Sequence, residues 1–88
     1  MKIVWDEPKR LANLEKHGLD FRDLTEAFFA SGLFVPSKKG RWKGIGASNR
    51  GVICVVFAKL SAEGVSVISM RPASASERKL YVESLKED

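Results

Sequence analysis

The sequence is poor in the residues that build metal centres and covalent cross-links. It has one Cys, one His and one Tyr among 88 residues. A single Cys cannot form a disulfide within the chain, and one Cys with one His does not supply a zinc ligand set. We therefore expect no metal and no cofactor. Cys54 stands among Val and Ile, and we interpret it as a small buried apolar residue.

Long apolar segments are absent as well. No run reaches the roughly 20 residues of a membrane-spanning helix, and the opening segment MKIVWDEPKR lacks the apolar region of a secretory signal. No P-loop, no dinucleotide-binding glycine pattern and no Cys/His or Ser/His pairing is visible. The hydrophobic content of 44% nevertheless suffices for a modest core. We expect one cytoplasmic domain over residues 1–88, without membrane contact.

Acidic residues are scarce in the second part of the chain. Residues 1–37 carry five Lys/Arg against six Asp/Glu, whereas residues 38–88 carry ten against five. The net charge of +4 therefore comes from the C-terminal part. Such asymmetry indicates an anionic partner, with nucleic acid as the first candidate. Ordinary solubility charge is the alternative that composition leaves open.

Apolar patterns and turn residues predict the element order β-α-α-β-β-β-β-α. Several consecutive strands late in the chain favour a mostly antiparallel sheet, so the fold class is α+β. The strand from Val52 is apolar on both faces and is predicted to be central. The predicted strands are Lys2–Trp5, Leu33–Pro36, Arg41–Ser48, Val52–Leu60 and Val65–Met70, and the helices begin at Asp6, Asp20 and Ser74.

The two early helices are expected to cover one face of the sheet. On the first, Leu11 and Leu14 form a narrow apolar stripe, while Lys9, Asn13 and His17 form a polar line on another face. The second helix is predicted to run from Asp20 to Ser31. It carries apolar residues at helical spacing, which are Phe21, Leu24, Ala27 and Phe28.

The last predicted strand leads directly into a helix start. Alternation places Arg71 at the strand end, and Pro72 then stops the ladder because it has no N–H to donate. Ser74 and Glu77 form a capping box that opens the last helix. The same alternation puts four residues on one face of this strand, namely Val65, Val67, Ser69 and Arg71.

We expect Arg71, Glu77, Arg78 and Tyr81 to gather at this junction. Arginine stays charged and offers a bidentate fork to phosphate. The set suits metal-free RNA cleavage, in which the 2′-hydroxyl attacks the adjacent phosphate, a base and an acid move protons, and cations stabilise the phosphoryl oxygens. From chemistry alone, the same residues could equally bind RNA or DNA without cutting it, or form a structural Arg–Glu network.

The most basic run in the chain has one aromatic residue inside it. Its Lys and Arg side chains can meet phosphates while Trp42 stacks on a base. The alternative is a solvated hairpin tip with Trp42 folded onto the core. A third hypothesis is an acidic or amphipathic peptide that covers the basic cluster. The cations of this run are Lys38, Lys39, Arg41 and Lys43.

Three motifs follow one another over nearly the whole chain. The first is WDxxKxxxNxxKHGxxF over residues 5–21, the second is RxxxIG over residues 41–46, and the third is ISMRxASxxERxxY over residues 68–81. Together they resemble the signatures of the BrnT family, the toxins of BrnT–BrnA type II toxin–antitoxin pairs. The first and last motifs in combination are fairly specific, whereas either alone would be weak.

This resemblance implies a RelE-like fold and a ribonuclease that cleaves mRNA and blocks translation. It also implies a BrnA-like ribbon-helix-helix antitoxin, in a heterotetramer that binds operator DNA through the antitoxin. A decayed toxin that only binds nucleic acid or its antitoxin is the alternative. Carried over by position, the candidate catalytic residues are Arg41, Arg71, Glu77 and Tyr81. The residues expected to contact nucleic acid are Lys38, Lys39, Trp42, Lys43, Lys59, Arg78 and His17.

Overall fold

Residues 1–86, which the computed structural model describes, form five strands and three α-helices in the predicted order. The α+β class is confirmed. No helix among these residues is long and apolar enough to cross a membrane. The strands are β1 (Lys2–Trp5), β2 (Leu33–Pro36), β3 (Trp42–Ser48), β4 (Gly51–Ser61) and β5 (Gly64–Pro72), and the helices are α1 (Glu7–His17), α2 (Glu26–Ser31) and α3 (Ala75–Ser84).

The strands form a single sheet in the order β1-β5-β4-β3-β2. Only β1 and β5 pair in parallel, and the other three pairings are antiparallel. The predicted central position of β4 is confirmed, since it has a neighbour on each side and buries Ile53, Cys54 and Val55. A strand buried on both faces reads as a continuous apolar run, as this one does.

A bulge in β5 changes which side chains share a face. Val56 pairs with Ser69 but Phe57 pairs with Val67, so Ile68 is one extra residue. The prediction that Val65 and Val67 share the face of Ser69 is therefore wrong, because the inserted residue reverses the alternation. The predicted shared face of Ser69 and Arg71 is confirmed, since they pair with Val56 and Cys54 on one side of β4.

The two faces of the sheet are covered to different extents. The first, which we call the α1 face, packs beneath α1 and α2. The second, which we call the α3 face, is covered only where Ala73 and Tyr81 pack on Ile45 and Cys54. The core of the α1 face consists of Leu19, Phe21, Phe28, Ile53, Val55, Phe57, Val65, Val67 and Met70.

Helix α1 turns polar residues, rather than its apolar stripe, toward the sheet. Arg10 and Asn13 are buried, whereas Leu11 is 53% exposed. Arg10 and Asn13 are buried because each finds buried hydrogen-bond partners, Asp20 for Arg10 and the backbone of Leu19 and Met70 for Asn13. The predicted helix end is confirmed, since Gly18 adopts the left-handed conformation at φ 68°.

The predicted second helix is divided into two pieces. A single 3₁₀ turn spans Phe21–Asp23, Leu24 is extended, and α2 begins only after Thr25. The Thr25 hydroxyl accepts a hydrogen bond from the Phe28 amide at 3.3 Å. This N-cap starts a new helix where the spacing of apolar residues predicts a continuous one. Phe21 and Phe28 still reach the core, as predicted.

Candidate active site

The end of β5 and the first turn of α3 are joined by a two-pronged ion pair. Arg71 Nη1 donates to Glu77 Oε1 at 2.7 Å, and Arg71 Nη2 donates to Glu77 Oε2 at 2.9 Å. Arg71 Nη1 also lies 3.3 Å from the Pro72 carbonyl oxygen. The side chain of Glu77 is 11% exposed and that of Arg71 is 32% exposed. The predicted neighbours therefore form one structural unit with an accessible cation.

Glu77 also contacts Ser74, at the N-cap of α3, and Lys43 on β3. Its Oε1 accepts the Ser74 amide at 2.9 Å, while the Glu77 amide donates to Ser74 Oγ at 3.2 Å, which completes the predicted capping box. Its Oε2 lies 3.6 Å from Lys43 Nζ on β3. One carboxylate thus holds two cations from two strands at the start of a helix, where negative charge is favoured. We call Arg71, Lys43 and Glu77 the Arg71 cluster.

The surroundings of Glu77 keep it ionised. Hydrogen bonds from Arg71, aided by the Ser74 amide and opposed by burial, lower the pKa of Glu77 from 4.5 to about 2. The same hydrogen bonds raise the pKa of Arg71. A carboxylate with so low a pKa is a weak proton acceptor near neutral pH. This argues against Glu77 as the general base of a reaction.

Cys54 lies next to the Arg71 cluster on the same side of the sheet. It is the cross-strand partner of Arg71 and is fully buried between Ile45 and Tyr81 in the core of the α3 face. Burial raises the pKa of its thiol. The interpretation of Cys54 as a small buried residue is confirmed. Cys54 is a buried neighbour of Arg71 on the sheet.

Tyr81 stands one helical turn after Glu77. Its ring packs on Ile45, Cys54 and Ala73, and the residue is 9% exposed. Among residues 1–86 the Tyr81 hydroxyl has no hydrogen-bond partner. The ring therefore anchors α3 on the α3 face of the sheet.

The remaining cations of the basic run surround the turn between β2 and β3. Lys38 and Lys39 lie in a 3₁₀ turn, and both are exposed. Arg41 is extended at φ −89° and ψ 170°, and it precedes β3 directly. Alternation along β3 therefore assigns Arg41 and Lys43 to the α3 face. This arrangement brings the basic run toward the side of the sheet that carries Arg71.

Trp42 and Lys59 lie on the opposite side of the sheet. Trp42 pairs with Phe57 and packs against the core of the α1 face, and Lys59 Nζ lies 4.6 Å from the Trp42 ring centroid. They line a cavity of about 310 Å³ together with Phe29 and Phe34. The sheet separates this pair from the Arg71 cluster.

His17 and Arg78 also stay apart from the Arg71 cluster. His17 ends α1, which packs on the α1 face, and Arg78 is exposed on α3. Within residues 1–86 neither side chain forms a hydrogen bond or salt bridge with Arg71, Lys43 or Glu77. Adjacency to Glu77 in the sequence does not bring Arg78 to the cluster, because successive helical residues point about 100° apart.

The comparisons with known proteins agree with this architecture. A family model described as "Ribonuclease toxin, BrnT, of type II toxin-antitoxin system" matches residues 5–77. A crystal structure of the ribonuclease toxin BrnT of Brucella abortus superposes with a TM-score of 0.78. Its sequence is 52% identical, and the match covers 84% of this chain and 97% of that one. A search of curated proteins found no match.

The chain belongs to the BrnT family of ribonuclease toxins. The resemblance of the three sequence motifs to the BrnT family is thereby confirmed. Most of the BrnT match lies where the motifs predict it, from Trp5 to Glu77. The match stops at Glu77, so Arg78 and Tyr81 lie beyond it. The cations of the α3 face, Arg41, Lys43 and Arg71, all lie within it.

In this BrnT chain, residues of the N-terminal motif build the fold. The Asn13 side chain donates from Nδ2 to the Met70 carbonyl at 2.8 Å and to the Leu19 carbonyl at 3.1 Å. Its Oδ1 accepts the Met70 amide at 3.0 Å. Asn13 therefore pairs with the edge of β5 beyond Val67, where β1 ends. The role of Asn13 in the motif is structural.

A buried charge network near the start of α1 was missed by the sequence interpretation. Arg10 donates to Glu7 at 2.7 and 2.9 Å and to Asp20 at 3.2 and 3.3 Å. Arg22 also pairs with Asp20, at 2.9 Å, and its hydrogen bonds lower the pKa of Asp20 to about 2. Spacing indicates the Glu7–Arg10 pair, but nothing local indicates Asp20 as the second partner.

Proposed function

We propose that this BrnT chain is a metal-independent endoribonuclease that cleaves mRNA and thereby inhibits translation. Family membership supports ribonuclease activity in general. The observation that carries the finer proposal is the set of cations on the partly covered α3 face, with Arg71 and Lys43 joined by Glu77. Their fixed positive charge takes the place that a metal ion has in other nucleases.

The roles follow from the positions of the side chains. Arg71 and Lys43 hold the phosphate at the cleavage point and stabilise the negative charge that develops on its oxygens. Arg41 extends this surface along the sheet. Tyr81 packs on the same face, and its hydroxyl is the group proposed for proton transfer. The exposed side chains Lys38 and Lys39 attract the RNA backbone at longer range.

A cognate antitoxin completes the system. Family membership makes this chain the toxin of a type II pair. The antitoxin is a BrnA-like ribbon-helix-helix protein that binds operator DNA in a heterotetramer with the toxin. Both proteins act in the cytoplasm, where mRNA and operator DNA are accessible to them.

The decisive experiment measures RNA cleavage by purified protein freed of its antitoxin, in the presence of EDTA. We expect the wild type to cut mRNA. Arg71→Ala and Arg41→Ala should each lose about tenfold to a hundredfold in rate, because a charge-assisted hydrogen bond contributes about 1.5–3 kcal/mol. Arg50→Ala is the matched control, since Arg50 is an exposed arginine in the turn between β3 and β4.

Intact mRNA after incubation with folded wild type, both with EDTA and without it, would reject the proposed reaction. Cleavage that stops on addition of EDTA would reject metal independence alone. In cells, induced expression should arrest growth, and co-expression of the neighbouring antitoxin gene should relieve the arrest. Circular dichroism of each variant separates lost activity from lost folding.

A second candidate function is nucleic-acid binding without cleavage, or antitoxin binding by a decayed toxin. The observation that favours it is the two-pronged hydrogen bonding of Glu77 to Arg71, which lowers the pKa of Glu77 and so weakens the most obvious general base. This function predicts RNA binding whose affinity falls steeply as salt rises, with no cleavage at any salt concentration.

A further inference from the structure

We infer that Glu77 is a positioning residue, which holds the Arg71 guanidinium so that its Nε–Nη2 edge is presented to an RNA phosphate. This inference rests on the proposed function and changes the role of one predicted catalytic residue. Glu77 then acts through Arg71, and it does not exchange a proton with the RNA.

The guanidinium of Arg71 has one edge that donates hydrogen bonds to Glu77 and another edge that makes no hydrogen bond within residues 1–86. A guanidinium has five N–H groups in a planar fork. Nη1 is directed to Glu77 and to the Pro72 carbonyl, and Nη2 gives one N–H to Glu77. The Nε–H and the second Nη2–H make no hydrogen bond within residues 1–86. They lie on one edge of the plane, with the spacing that two oxygens of a phosphate require.

Most acceptor positions of Glu77 are occupied. Oε1 accepts from Arg71 and from the Ser74 amide, and Oε2 accepts from Arg71 and lies 3.6 Å from Lys43 Nζ. A carboxylate has about four lone-pair positions, and these three hydrogen bonds use three of them. A 2′-hydroxyl would therefore have to compete with Arg71, Ser74 and Lys43 for Glu77. The geometry therefore suits Glu77 for orientation and not for proton abstraction.

The Arg71 cluster is also held in place by the elements around it. Glu77 lies in the capped first turn of α3, and its side chain is fixed from both β3 and β5. Cys54, the cross-strand partner of Arg71, is fully buried beside it. Fixing a long, rotatable arginine before RNA arrives reduces the entropy that binding costs. Arg71 can then hold Glu77 and a phosphate at the same time.

The test measures the affinity for a short single-stranded 2′-O-methyl RNA, which lacks the attacking hydroxyl and cannot be cut. Simple electrostatics predicts that Glu77→Gln binds this RNA more tightly, because a negative charge near the phosphate has gone. The positioning role predicts the opposite sign. We expect Glu77→Gln to bind about tenfold more weakly than the wild type, which corresponds to one lost charge-assisted contact.

Two matched variants serve as controls. Glu83→Gln removes a carboxylate from the exposed surface of the same helix, and it should leave the affinity unchanged. Ser74→Ala removes the capping hydroxyl but keeps the Arg71–Glu77 pair, so it should keep most of the affinity. Weak binding by Ser74→Ala equal to that of Glu77→Gln would overturn the inference, because a loosened helix start would then explain both.

A double substitution gives the second readout. With Arg71 removed, Glu77 no longer has a guanidinium to position, so Arg71→Ala/Glu77→Gln should bind RNA no more weakly than Arg71→Ala. Independent, additive losses would overturn the inference. Should Glu77→Gln fail to fold, Arg71→Lys replaces it. An ammonium lacks the second edge, so this variant should bind about as weakly as Arg71→Ala, and wild-type affinity would contradict the inference.

These outcomes separate the inference from the proposed function. If the wild type cleaves unmodified RNA but Glu77→Gln binds the 2′-O-methyl RNA normally or more tightly, only the inference fails. If the wild type binds this RNA without cleaving its unmodified counterpart, the proposed reaction fails and the binding readout still decides the role of Glu77. If the wild type does not bind RNA, both fail.

Discussion

Asn13 takes the place of a missing strand neighbour. Beyond Val67 the edge of β5 has no partner from β1, and the side-chain amide of Asn13 pairs with both backbone groups of Met70 there. A side-chain amide offers the same donor and acceptor as a peptide group. The buried edge is therefore satisfied by one residue of α1, and the sheet and helix are locked together at this point.

Replacing Asn13 should destabilise the fold strongly. Asn13→Leu keeps the volume but leaves the Met70 amide and the carbonyls of Met70 and Leu19 without this partner. Each unsatisfied buried group costs about 1–3 kcal/mol, so we expect a loss of about 3 kcal/mol or more in the free energy of unfolding. Urea denaturation measures it. Asn49→Ala, in an exposed turn, should change stability by less than about 0.5 kcal/mol.

Acid should destabilise the protein through Glu77. The pKa of this carboxyl is about 2 in the folded state against an ordinary value of 4.5, so the folded state holds the charged form more strongly than the unfolded chain does. Its contribution to stability is complete above the unfolded pKa, and it is lost as the pH falls from 4.5 toward about 2. Urea denaturation over this range should show a smaller acid-induced loss in Glu77→Gln.

The exposed variant Glu83→Gln should retain the full acid-induced loss. Part of that loss should also persist in Glu77→Gln, because the pKa of Asp20 is lowered to about 2 by Arg22 and titrates in the same range. An identical pH dependence in wild type and Glu77→Gln would contradict the ion pair between Arg71 and Glu77.

At the scale of elements, the glycines of β3 make room for aromatic rings. A Cβ on Gly46 would lie 2.8 Å from Phe28 Cε2, and one on Gly44 would lie 2.8 Å from Phe34 Cε1. From the sequence, these glycines indicate only a weakened strand. In the structure they allow the rings of α2 and β2 to pack directly on the sheet backbone.

Gly46→Ala should therefore destabilise the protein by about 1–3 kcal/mol, because overpacking forces the Phe28 ring to move. Thermal unfolding followed by circular dichroism measures the effect. Gly64→Ala is the matched control in a strand, since its nearest neighbour would be 3.6 Å away. A loss of stability in Gly64→Ala as large as that in Gly46→Ala would show that glycine in a strand, and not the Phe28 contact, decides the outcome.

Element types were predictable from the sequence because their signals are local. Alternation, capping residues and turn glycines give the strands, the start of α3 and the end of α1. The inward face of α1 was not predictable in the same way. Arg10 and Asn13 read as polar surface, and only Asp20 and Met70, distant in sequence, make their burial favourable.

In the candidate site too, some contacts are predictable from local sequence signals and others are not. The Arg71–Glu77 pair follows from a strand end beside a capping box, so the sequence predicts it. Lys43 joins the cluster because of the register of β3 against β4. Trp42 and Lys59 lie on the other face because successive residues of a strand point to opposite sides of the sheet. These placements depend on the pairing of whole strands, which single-residue patterns do not specify.

At the scale of the whole molecule, positive charge and exposure coincide on one side. The α1 face is covered by two helices, whereas the α3 face keeps Lys43 and Arg71 partly exposed beside the basic turn before β3. An anionic polymer that follows the sheet would meet these cations in succession. Net charge alone does not give this result, because the sheet decides which cations share a side.

The parallel pairing of β1 with β5 also determines when contacts can form during synthesis of the chain. A chain made from its N-terminus holds β1 and Asn13 without partners until Met70 has been synthesised. Contacts between residues so far apart in sequence form late and slowly. Arg71 and Glu77 follow within a few residues, so the sheet closes and the cation cluster assembles at the same stage. The Arg71 cluster therefore cannot form until all but the last few residues of the chain have been synthesised.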